Sequence, residues 1–512
     1  MNNNNNFEIF SNKINIFKRK ILFMGYGAVA KCVLNYFSYY FIYDFNKIFI
    51  VDRCISAIYG PNLEKIPKKN IFIETINSIN FINFLKNINF QEQDIIIDLT
   101  SNSRTYYFIE ICLLKNFNYI NTSIEDGNDL FRGRSIDVQQ KKIHEIYENI
   151  QCKKSIKSNL LIEFGMNPGL IQHFILYALN EMNKKYYKTD IDNYSKKSLV
   201  NVIDNYNVGT ILLSEIDNVT KKNDKYFFAN KYKLHNTWSI LGLFAECFDN
   251  TEIVYGIDNK YIKPTLSKND IDYYKTSTIP IKKNQGYKVL FLNQYGLTTI
   301  LNSICPIINE NNNIKFIDYY GSLIHHGEMF EMANYFGKKS PLILYVYKIN
   351  KYVKQNINEY FFNNISFWKQ ESDFRKWIYN TKYENTCVFD NINKDENERL
   401  IGHDSIGCTI FCGEKNIDRI FWCGSILNHL DKNVDNNFTP TIIQVATGVL
   451  SGLSYILEEK NKNNGLMFSC DLDTKYILNK SIPLLGRFFF TEIPIKENMN
   501  LFKNWHISTR VD

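Results

Sequence analysis

Proline is scarce in this 512-residue chain, and so are long apolar runs. There are 10 prolines against an abundance of Asn, Ile, Lys and Tyr, a bias typical of AT-rich coding DNA rather than of a function. No secretory signal is visible, and no segment approaches the ~18 uncharged apolar residues that a membrane span needs. We therefore expect a cytoplasmic protein with no membrane partner.

A large charge excess and a cysteine framework are missing as well. The 60 basic and 53 acidic residues leave a net charge of +7, and the lysines are scattered along the chain. A solvated surface accounts for them better than a nucleic-acid interface does. The 11 cysteines, from Cys32 to Cys470, are odd in number and show no metal-binding or disulfide spacing. We expect reduced thiols, with Cys408 and Cys412 as small buried residues of a strand.

The first part of the chain alternates strand-like and helix-like segments. Ile21–Met24 is a short apolar run suited to a buried parallel strand, and residues 29–40 have the apolar spacing of a helix. Further strands are predicted at 47–52, 94–100 and 118–122, with a helix at 104–115. Alternating βαβ units of this kind predict an α/β fold with a doubly wound parallel sheet of the Rossmann type.

A glycine-rich turn joins the first strand to the first helix. Gly25, Gly27 and Ala30 have the Gly-x-Gly-x-x-Ala spacing, in which the first glycine permits a tight bend and the second lets backbone approach a pyrophosphate. The small Ala30 lets the helix pack against the strand, and the amides of Ala28 and Val29 lie at the helix N-terminus, where phosphates bind. The turn predicts a dinucleotide site; a generic strand–turn–helix is the alternative.

Asp52 ends the second strand, where a carboxylate accepts hydrogen bonds from ribose hydroxyls and favours NAD over NADP. Arg53 beside it could hold a 2′-phosphate, so NADP stays open. A carboxylate at Glu125 could face the nicotinamide pocket. Polar residues at the carboxyl ends of later strands complete the predicted cofactor edge: Thr100, Ser101, Asn102 and Thr122.

We expect four regions along the chain. Residues 1–17 form an Asn-rich extension and residues 18–160 the NAD-binding Rossmann domain. Residues 161–400 form a mixed α+β domain, with an insertion near 350–390. Residues 401–512 contribute strands and one long helix that pack back on both domains.

Several polar clusters stand out in the second half. Trp238 and Glu246 lie two turns apart if the intervening segment is helical, and a tryptophan beside carboxylates suits a cationic amine. A core tryptophan and a surface acid are the alternative. His326 and Glu328 form another cluster, which we interpret as a proton shuttle rather than a zinc site, because consecutive histidines on a strand point to opposite faces. Asp404 lies between two glycines before a strand.

Taken together, these motifs resemble bacterial-type homospermidine synthase, a relative of the saccharopine dehydrogenase group. The matching stretches occur in order and cover nearly the whole chain apart from the N-terminal extension and residues near 350–390. They comprise the glycine turn, residues 122–125, 163–169, 236–246, 326–328, 402–407, 421–425 and 444–452, and the Pro483–Gly486 segment.

The resemblance implies an enzyme that makes homospermidine from two putrescine molecules with release of ammonia, through an imine, using NAD as a retained hydride carrier. It also implies a homodimer, with residues 161–400 as the catalytic and dimerisation domain, and no metal. The residues that match those around the diamine in the family are Asn167, Glu215, Trp238, Glu246, His326 and Glu328, together with Glu125 and Asp404.

Three departures from the family concern amine specificity. His325 stands where the family has Arg, Asp126-Gly127 replace Pro and an aromatic residue, and Cys423 replaces Tyr. Two other functions stay open. One is a saccharopine-dehydrogenase-like reductive condensation that consumes NAD(P)H, which needs Arg or Lys to hold a substrate carboxylate. The other is a non-catalytic NAD-binding sensor.

Overall fold

The protein is described by a computed structural model that covers residues 13–100, 104–124, 136–188, 190, 194–222, 234–240, 242–243, 246, 250–258, 275–277, 286–296, 299–355, 386–388, 399–413, 417–458, 464–495 and 506–507. The chain divides into two compact units. The first comprises Met1–Leu170 and Ile442–Leu484, and the second comprises Ile171–Thr441 and Leu485–Asp512. The predicted boundaries near 160 and 400 stay predictions.

The strands are β1 (Ile14–Asn15), β2 (Ile21–Met24), β3 (Phe41–Ile42), β4 (Ile48–Asp52), β5 (Ile71–Ile73), β6 (Ile95–Asp98), β7 (Asn118–Asn121), β8 (Asn159–Leu161), β9 (Val208–Asp217), β10 (Thr220–Lys221), β11 (Leu234–Asn236), β12 (Asn250–Gly256), β13 (Lys275–Ser277), β14 (Tyr287–Tyr295), β15 (Thr299–Ile308), β16 (Ile314–Ile324), β17 (Leu342–Lys348), β18 (Thr386–Val388), β19 (Leu400–Ile401), β20 (His403–Cys412), β21 (Arg419–Asn428), β22 (Gly465–Met467), β23 (Arg487–Ile493) and β24 (His506–Ile507).

The α-helices are α1 (Ala28–Tyr40), α2 (Phe81–Asn87), α3 (Thr105–Lys115), α4 (Ile136–Gln151), α5 (Leu170–Tyr187), α6 (Lys196–Asn205), α7 (Gly327–Phe336), α8 (Pro440–Leu457) and α9 (Thr474–Ser481). Short 3-10 helices cover Phe45–Lys47, Ile55–Ala57, Leu63–Lys65, Lys68–Asn70, Gly337–Lys339, Ser469–Asp471 and Ile482–Leu484.

The first unit is built on a parallel sheet with the strand order β22-β8-β7-β6-β2-β4-β5. Its central strands β2 and β6 are buried along their whole length and apolar apart from Asp98 at the end of β6, as expected for strands covered on both faces. The predicted doubly wound Rossmann sheet is therefore confirmed. Helix α4 and strands β5, β8 and β22 were not predicted; β5 and β22 are the two edges of this sheet.

The second unit is built on a mixed sheet that pairs eleven strands in its described part. Strand β9 lies at its centre, parallel to β17 on one side and antiparallel to β20 on the other. Alternate residues of β9 and β17, such as Leu212 and Leu344, belong to a hydrophobic core on one face of these strands. The residues between them project from the opposite face, because side chains alternate along a strand. Cys408 and Cys412 are buried on β20, as predicted.

The expectation that no segment approaches a membrane span is wrong for helix α8, the one helix of the described residues that is long and apolar enough to cross a membrane; nearly all of it is buried inside the protein. Burial of this kind also fits a core helix of a globular fold. The sequence predicted a long amphipathic helix here from residue 439 to 459, and the structure has it at Pro440–Leu457.

Candidate functional site

The glycine turn of the first unit is held tightly against the sheet. Gly25 donates its amide to the carbonyl of Val51 at 2.9 Å and has φ +79°, in the left-handed region that favours glycine. A Cβ at this position would lie 2.8 Å from the carbonyl oxygen of Leu99. Only glycine therefore satisfies both the conformation and the space of this turn.

Gly27, two residues further, has the opposite surroundings. It is the N-cap of α1, makes no side-chain capping bond, and a Cβ built on it would meet no atom within 4 Å. The first-turn amides of a helix, here those of Ala28 and Val29, have no acceptor within the helix itself. Ala30 is fully buried against the sheet. Open space in front of a helix N-terminus is the arrangement that accepts a phosphate group.

Asp52 holds this turn from the end of β4. Its carboxylate oxygens accept hydrogen bonds from the amides of Tyr26, at 2.7 Å, and Cys54, at 2.8 Å. The side chain therefore fixes the backbone around the glycine turn, a role that the ribose prediction did not include. Arg53 beside it is exposed.

Asp98 organises the next strand end and was not predicted from the sequence. It is buried at the end of β6, where it accepts hydrogen bonds from the Thr100 hydroxyl at 2.5 Å and the Tyr119 hydroxyl at 2.7 Å. Burial raises the pKa of the Asp98 carboxyl. Thr122 is partly buried just after β7. The predicted residues Ser101, Asn102 and Glu125 lie outside the described residues.

Asn167 also belongs to the first unit. It precedes Pro168 through a cis peptide bond in a closed turn, in which Gly165 donates its amide to the Pro168 carbonyl at 2.7 Å. Helix α5 begins directly after this turn, at Leu170. The turn is shaped by glycine, since a Cβ on Gly169 would lie 2.2 Å from the Gly165 carbonyl oxygen.

The second unit contains an acidic cluster, which we define as Glu215, Asp217, Glu246, Glu328 and Asp404; Glu246 is partly exposed and the other four are buried. Glu215 and Asp217 lie two residues apart on β9 and therefore on one face of the sheet. Asp404 is the direct partner of Asp217 on the neighbouring strand β20. The cluster thus draws three carboxylates from adjacent strands, while Glu328 is buried in the first turn of α7.

His326 lies at the centre of this acidic cluster. Its backbone is extended between β16 and α7, and its ring is bracketed by two carboxylates, with Nε2 2.8 Å from Glu246 Oε1 and Nδ1 2.6 Å from Glu328 Oε2. The extended backbone turns His325 to the other side, where Nδ1 lies 3.7 Å from Glu252 Oε2. Among the described residues, no group of three or more His, Cys, Asp or Glu side chains is arranged to hold a metal ion.

Two tyrosines of β17 complete the site, and neither was predicted. Tyr345 donates its hydroxyl to Glu215 Oε2, and its ring stacks on the His326 ring with centroids 5.0 Å apart. Tyr347 accepts a hydrogen bond from Trp238 Nε1 at 3.3 Å. Because Tyr347 pairs with Glu215 in the β17–β9 register, both tyrosines lie on the acidic face.

Trp238 lies in a bend, and a face shared with Glu246 was expected only if the segment between them is helical. The helical residues begin at Ile240 and include Glu246. The indole lies over Gly242, where a Cβ would come within 2.6 Å of the ring. Thr237 anchors the bend by donating its hydroxyl to Asp217 Oδ2 at 2.5 Å.

Burial dominates the protonation of these groups. Desolvation raises the pKa of Glu215 to about 8; the hydrogen bond from Tyr345 is the second-largest influence and lowers it, while repulsion from Glu246 and Asp217 raises it further. The pKa values of Asp217, Glu246 and Asp404 are raised for the same main reason. Burial lowers the pKa of His326, but attraction to Glu328 and Glu246 outweighs it and leaves that pKa well above its ordinary value.

Two carboxylate oxygens of the cluster have no hydrogen-bond donor among the described residues. They are Glu328 Oε1 and Asp404 Oδ1, both on fully buried side chains. Their second oxygens are bound by His326 and by the Thr441 hydroxyl, the latter at 2.6 Å. A buried acceptor without a donor is costly, so these atoms are suited to a ligand that brings N–H groups.

Comparison with solved structures shows which fold the chain has. No protein-family model and no curated protein matches the chain. Among solved structures it is similar to the homospermidine synthase hss from Legionella pneumophila in complex with NAD, with a TM-score of 0.71 and 18% identity over 98% of this chain and 97% of that one. The likeness establishes the fold. A saccharopine dehydrogenase (L-Glu forming) from Saccharomyces cerevisiae gives a TM-score of 0.47 and 10% identity over 93% of this chain and all (100%) of that one.

Proposed function

We propose that the chain is a homospermidine synthase, which joins two putrescine molecules into homospermidine and releases one ammonia. The observation that carries the proposal is the acidic cluster around His326, with Trp238 at its side. Putrescine carries a positive charge at each end, and a buried group of carboxylates with raised pKa values is stabilised by the arrival of such charges. The site is therefore suited to a diamine.

The first unit supplies residues that fit a nicotinamide dinucleotide. The open space at Gly27 and the helix N-terminus of α1 suit its pyrophosphate, and Asp52 suits a ribose hydroxyl. We assign the remaining cofactor edge to Gly25, Thr100, Thr122 and the predicted residues Ser101 and Asn102. When bound, NAD would accept a hydride from the amine-bearing carbon of putrescine and return it to the imine carbon formed later in the same cycle.

Within the second unit, the residues divide into charge holders and proton carriers. Glu328 and Asp404 offer buried carboxylate oxygens to ammonium groups, and Trp238 offers the face of its indole to the same cation. His326 has a carboxylate at each ring nitrogen and a raised pKa, so its protonated ring would hold Glu246 and Glu328 in place. A carboxylate of the acidic cluster would take the proton that an ammonium must lose before it can be oxidised or attack an imine. Glu215 would bind the amine nearest to Tyr345.

Two further residues enter by resemblance alone. Asn167 and Glu125 match family positions around the diamine, and we assign them to amine orientation. By the same resemblance we propose a cytoplasmic homodimer whose second unit carries the dimer contact.

A reductive condensation that consumes NAD(P)H is the second candidate. Such an enzyme holds a carboxylated substrate with Arg or Lys. In the part of the chain that the structure describes, the ion pairs to the acidic cluster are made by His326. This acidic composition favours diamines over amino acids.

Isotope-labelled putrescine distinguishes the candidates. We expect the purified protein, given putrescine deuterated on both amine-bearing carbons, a trace of NAD⁺ and an excess of unlabelled NADH, to form homospermidine that keeps every deuterium atom, with one ammonia per product. Mass spectrometry reads the label. Product that needs stoichiometric NAD(P)H and an added carbonyl compound would support the condensation instead. NAD binding without any product would support a sensor.

A further inference from the structure

Tyr345 is a buried side chain of the second unit that touches two members of the site at once. It is fully buried on β17, with its hydroxyl against Glu215 and its ring against the imidazole of His326. The two rings are nearly parallel, at 18°. A single residue thus connects the carboxylate of β9 with the histidine that follows β16.

Both the hydroxyl and the aromatic ring of Tyr345 take part in these contacts. Phenylalanine would keep the stacking on His326 but would leave Glu215 Oε2 without this donor. A smaller polar residue at this position of β17 would lose the stacking contact with the imidazole ring of His326. The hydroxyl favours the charged form of the carboxylate, because its hydrogen bond lowers the pKa that burial raises.

We propose that Tyr345 is a positioning residue of the amine site, which orients the Glu215 carboxyl group, stabilises its charged form when an amine binds, and holds the His326 ring between Glu246 and Glu328. This inference rests on the proposed function, since it assumes that Glu215 binds an amine. Tyr345 acts through these two residues.

Other charged and titratable groups face Glu215, and they set the direction of the expected effect. Glu246, Asp217 and Asp404 oppose its ionisation and His326 favours it. Three further titratable neighbours among the described residues are neutral near pH 7: Tyr347 on β17, Cys305 on β15 and Tyr319 on β16. Removing the Tyr345 hydroxyl leaves the repulsion in place and takes away one stabilising donor, so the pKa of Glu215 rises further.

The test is the pH profile of Tyr345→Phe. We expect the acid limb of kcat/KM for putrescine to move up by about one to two pH units, which lowers kcat/KM at pH 7 by about ten- to a hundredfold. At alkaline pH the variant should recover to within a few-fold of wild type, because Glu215 is then charged in both. Calorimetric binding of putrescine across the same pH range should show the same displacement.

Tyr206→Phe is the matched control. Its hydroxyl is a buried donor in the same unit, bound to the Met182 carbonyl at 3.2 Å, so its loss costs a comparable hydrogen bond away from the acidic cluster. We expect it to keep the wild-type acid limb. An acid limb of Tyr345→Phe that coincides with those of wild type and Tyr206→Phe would overturn the proposal.

A readout without substrate separates this inference from the proposed function. Tyr345→Phe should change the pH dependence of the thermal midpoint in the wild-type background but not in the Glu215→Gln background. If that coupling is present while wild type neither binds nor converts putrescine, the proposed function fails and the Tyr345–Glu215 contact stands. If the coupling is absent, the inference on Tyr345 fails whatever the enzyme makes.

Discussion

In the first unit the candidate ligand groups are mostly backbone amides of one short segment, whereas in the second they are side chains from distant parts of the chain. The glycine turn spans Gly25 to Ala30 and depends on the absence of side chains. The acidic cluster reaches from Glu215 to Asp404 and depends on which side chains are present. We therefore expect the two units to be impaired by different substitutions: the first by those that add side-chain volume, and the second by those that alter charge.

The largest effect is expected where added volume meets backbone. Gly25→Ala places a Cβ 2.8 Å from the Leu99 carbonyl oxygen at φ +79° and should lower the free energy of unfolding by ~3 kcal/mol, or the thermal midpoint by about 10 °C. Gly27→Ala, with open space at its Cβ, should leave the midpoint within about 2 °C and weaken NAD binding about tenfold or more. Calorimetry measures both quantities. Equal losses of stability in the two variants would contradict this contrast.

A second effect tests the aromatic side chain of the acidic site. Trp238→Ala removes the π face and should lower kcat/KM for putrescine about thirtyfold, whereas Trp238→Phe keeps a π face and should lose less than about fivefold. Trp238→Phe also removes the hydrogen bond from Nε1 to the Tyr347 hydroxyl, so the loss of kcat/KM in this variant measures the contribution of that hydrogen bond. Steady-state kinetics at saturating NAD provide the comparison. Similar losses in both variants would exclude a cation–π role.

The smallest expected effect is the dependence of the thermal stability on pH. Glu215 has a folded pKa of about 8 against an ordinary value of 4.5, so between these values the folded state binds more protons than the unfolded state and loses stability as pH rises. The raised pKa of His326 acts in the same direction, because its stabilisation is complete below its unfolded pKa and is lost as pH rises through the folded one. We expect the thermal midpoint of the ligand-free protein to fall by roughly 5 °C between pH 5 and pH 8.

Glu215→Gln provides the control for this pH dependence. It removes one of the titrating groups with little change of shape, so its midpoint should fall less steeply over the same range. Added putrescine should raise the wild-type midpoint more at pH 8 than at pH 6, because more of the cluster is then charged. A wild-type midpoint that rises over this range would contradict the sign of both pKa shifts.

Much of the first unit could be predicted from the sequence because its signals are local. The apolar run Ile21–Met24, the glycine spacing and the helix after it lie within about twenty residues, and the structure has each close to its predicted bounds. The role of Asp98 was missed, because an acid at a strand end looks like any other polar residue until Thr100 and Tyr119 are seen to converge on it.

The sequence of the second unit indicates which of its positions are polar, but not how these positions are arranged in space. The alternation in Val208–Asp217, with acids at positions 215 and 217, is a signal that one face of β9 is polar, and Tyr345 and Tyr347 repeat the same period on β17. The sequence does not indicate which strands are neighbours in the sheet. Trp238 shows the same limit, since the residue before it, Thr237, donates its hydroxyl to Asp217, which lies 20 residues earlier in the chain.

The sequence by itself determined the parallel α/β fold of the first unit and its glycine turn, because both depend on short-range sterics and on the period of apolar residues. Only the tertiary structure decided that Asp217 and Asp404 lie opposite each other, that His326 lies between Glu246 and Glu328, and that Tyr345 holds Glu215. These contacts follow from strand register and from the packing of segments far apart in the chain. Burial then sets the protonation of the same side chains, which no local pattern encodes.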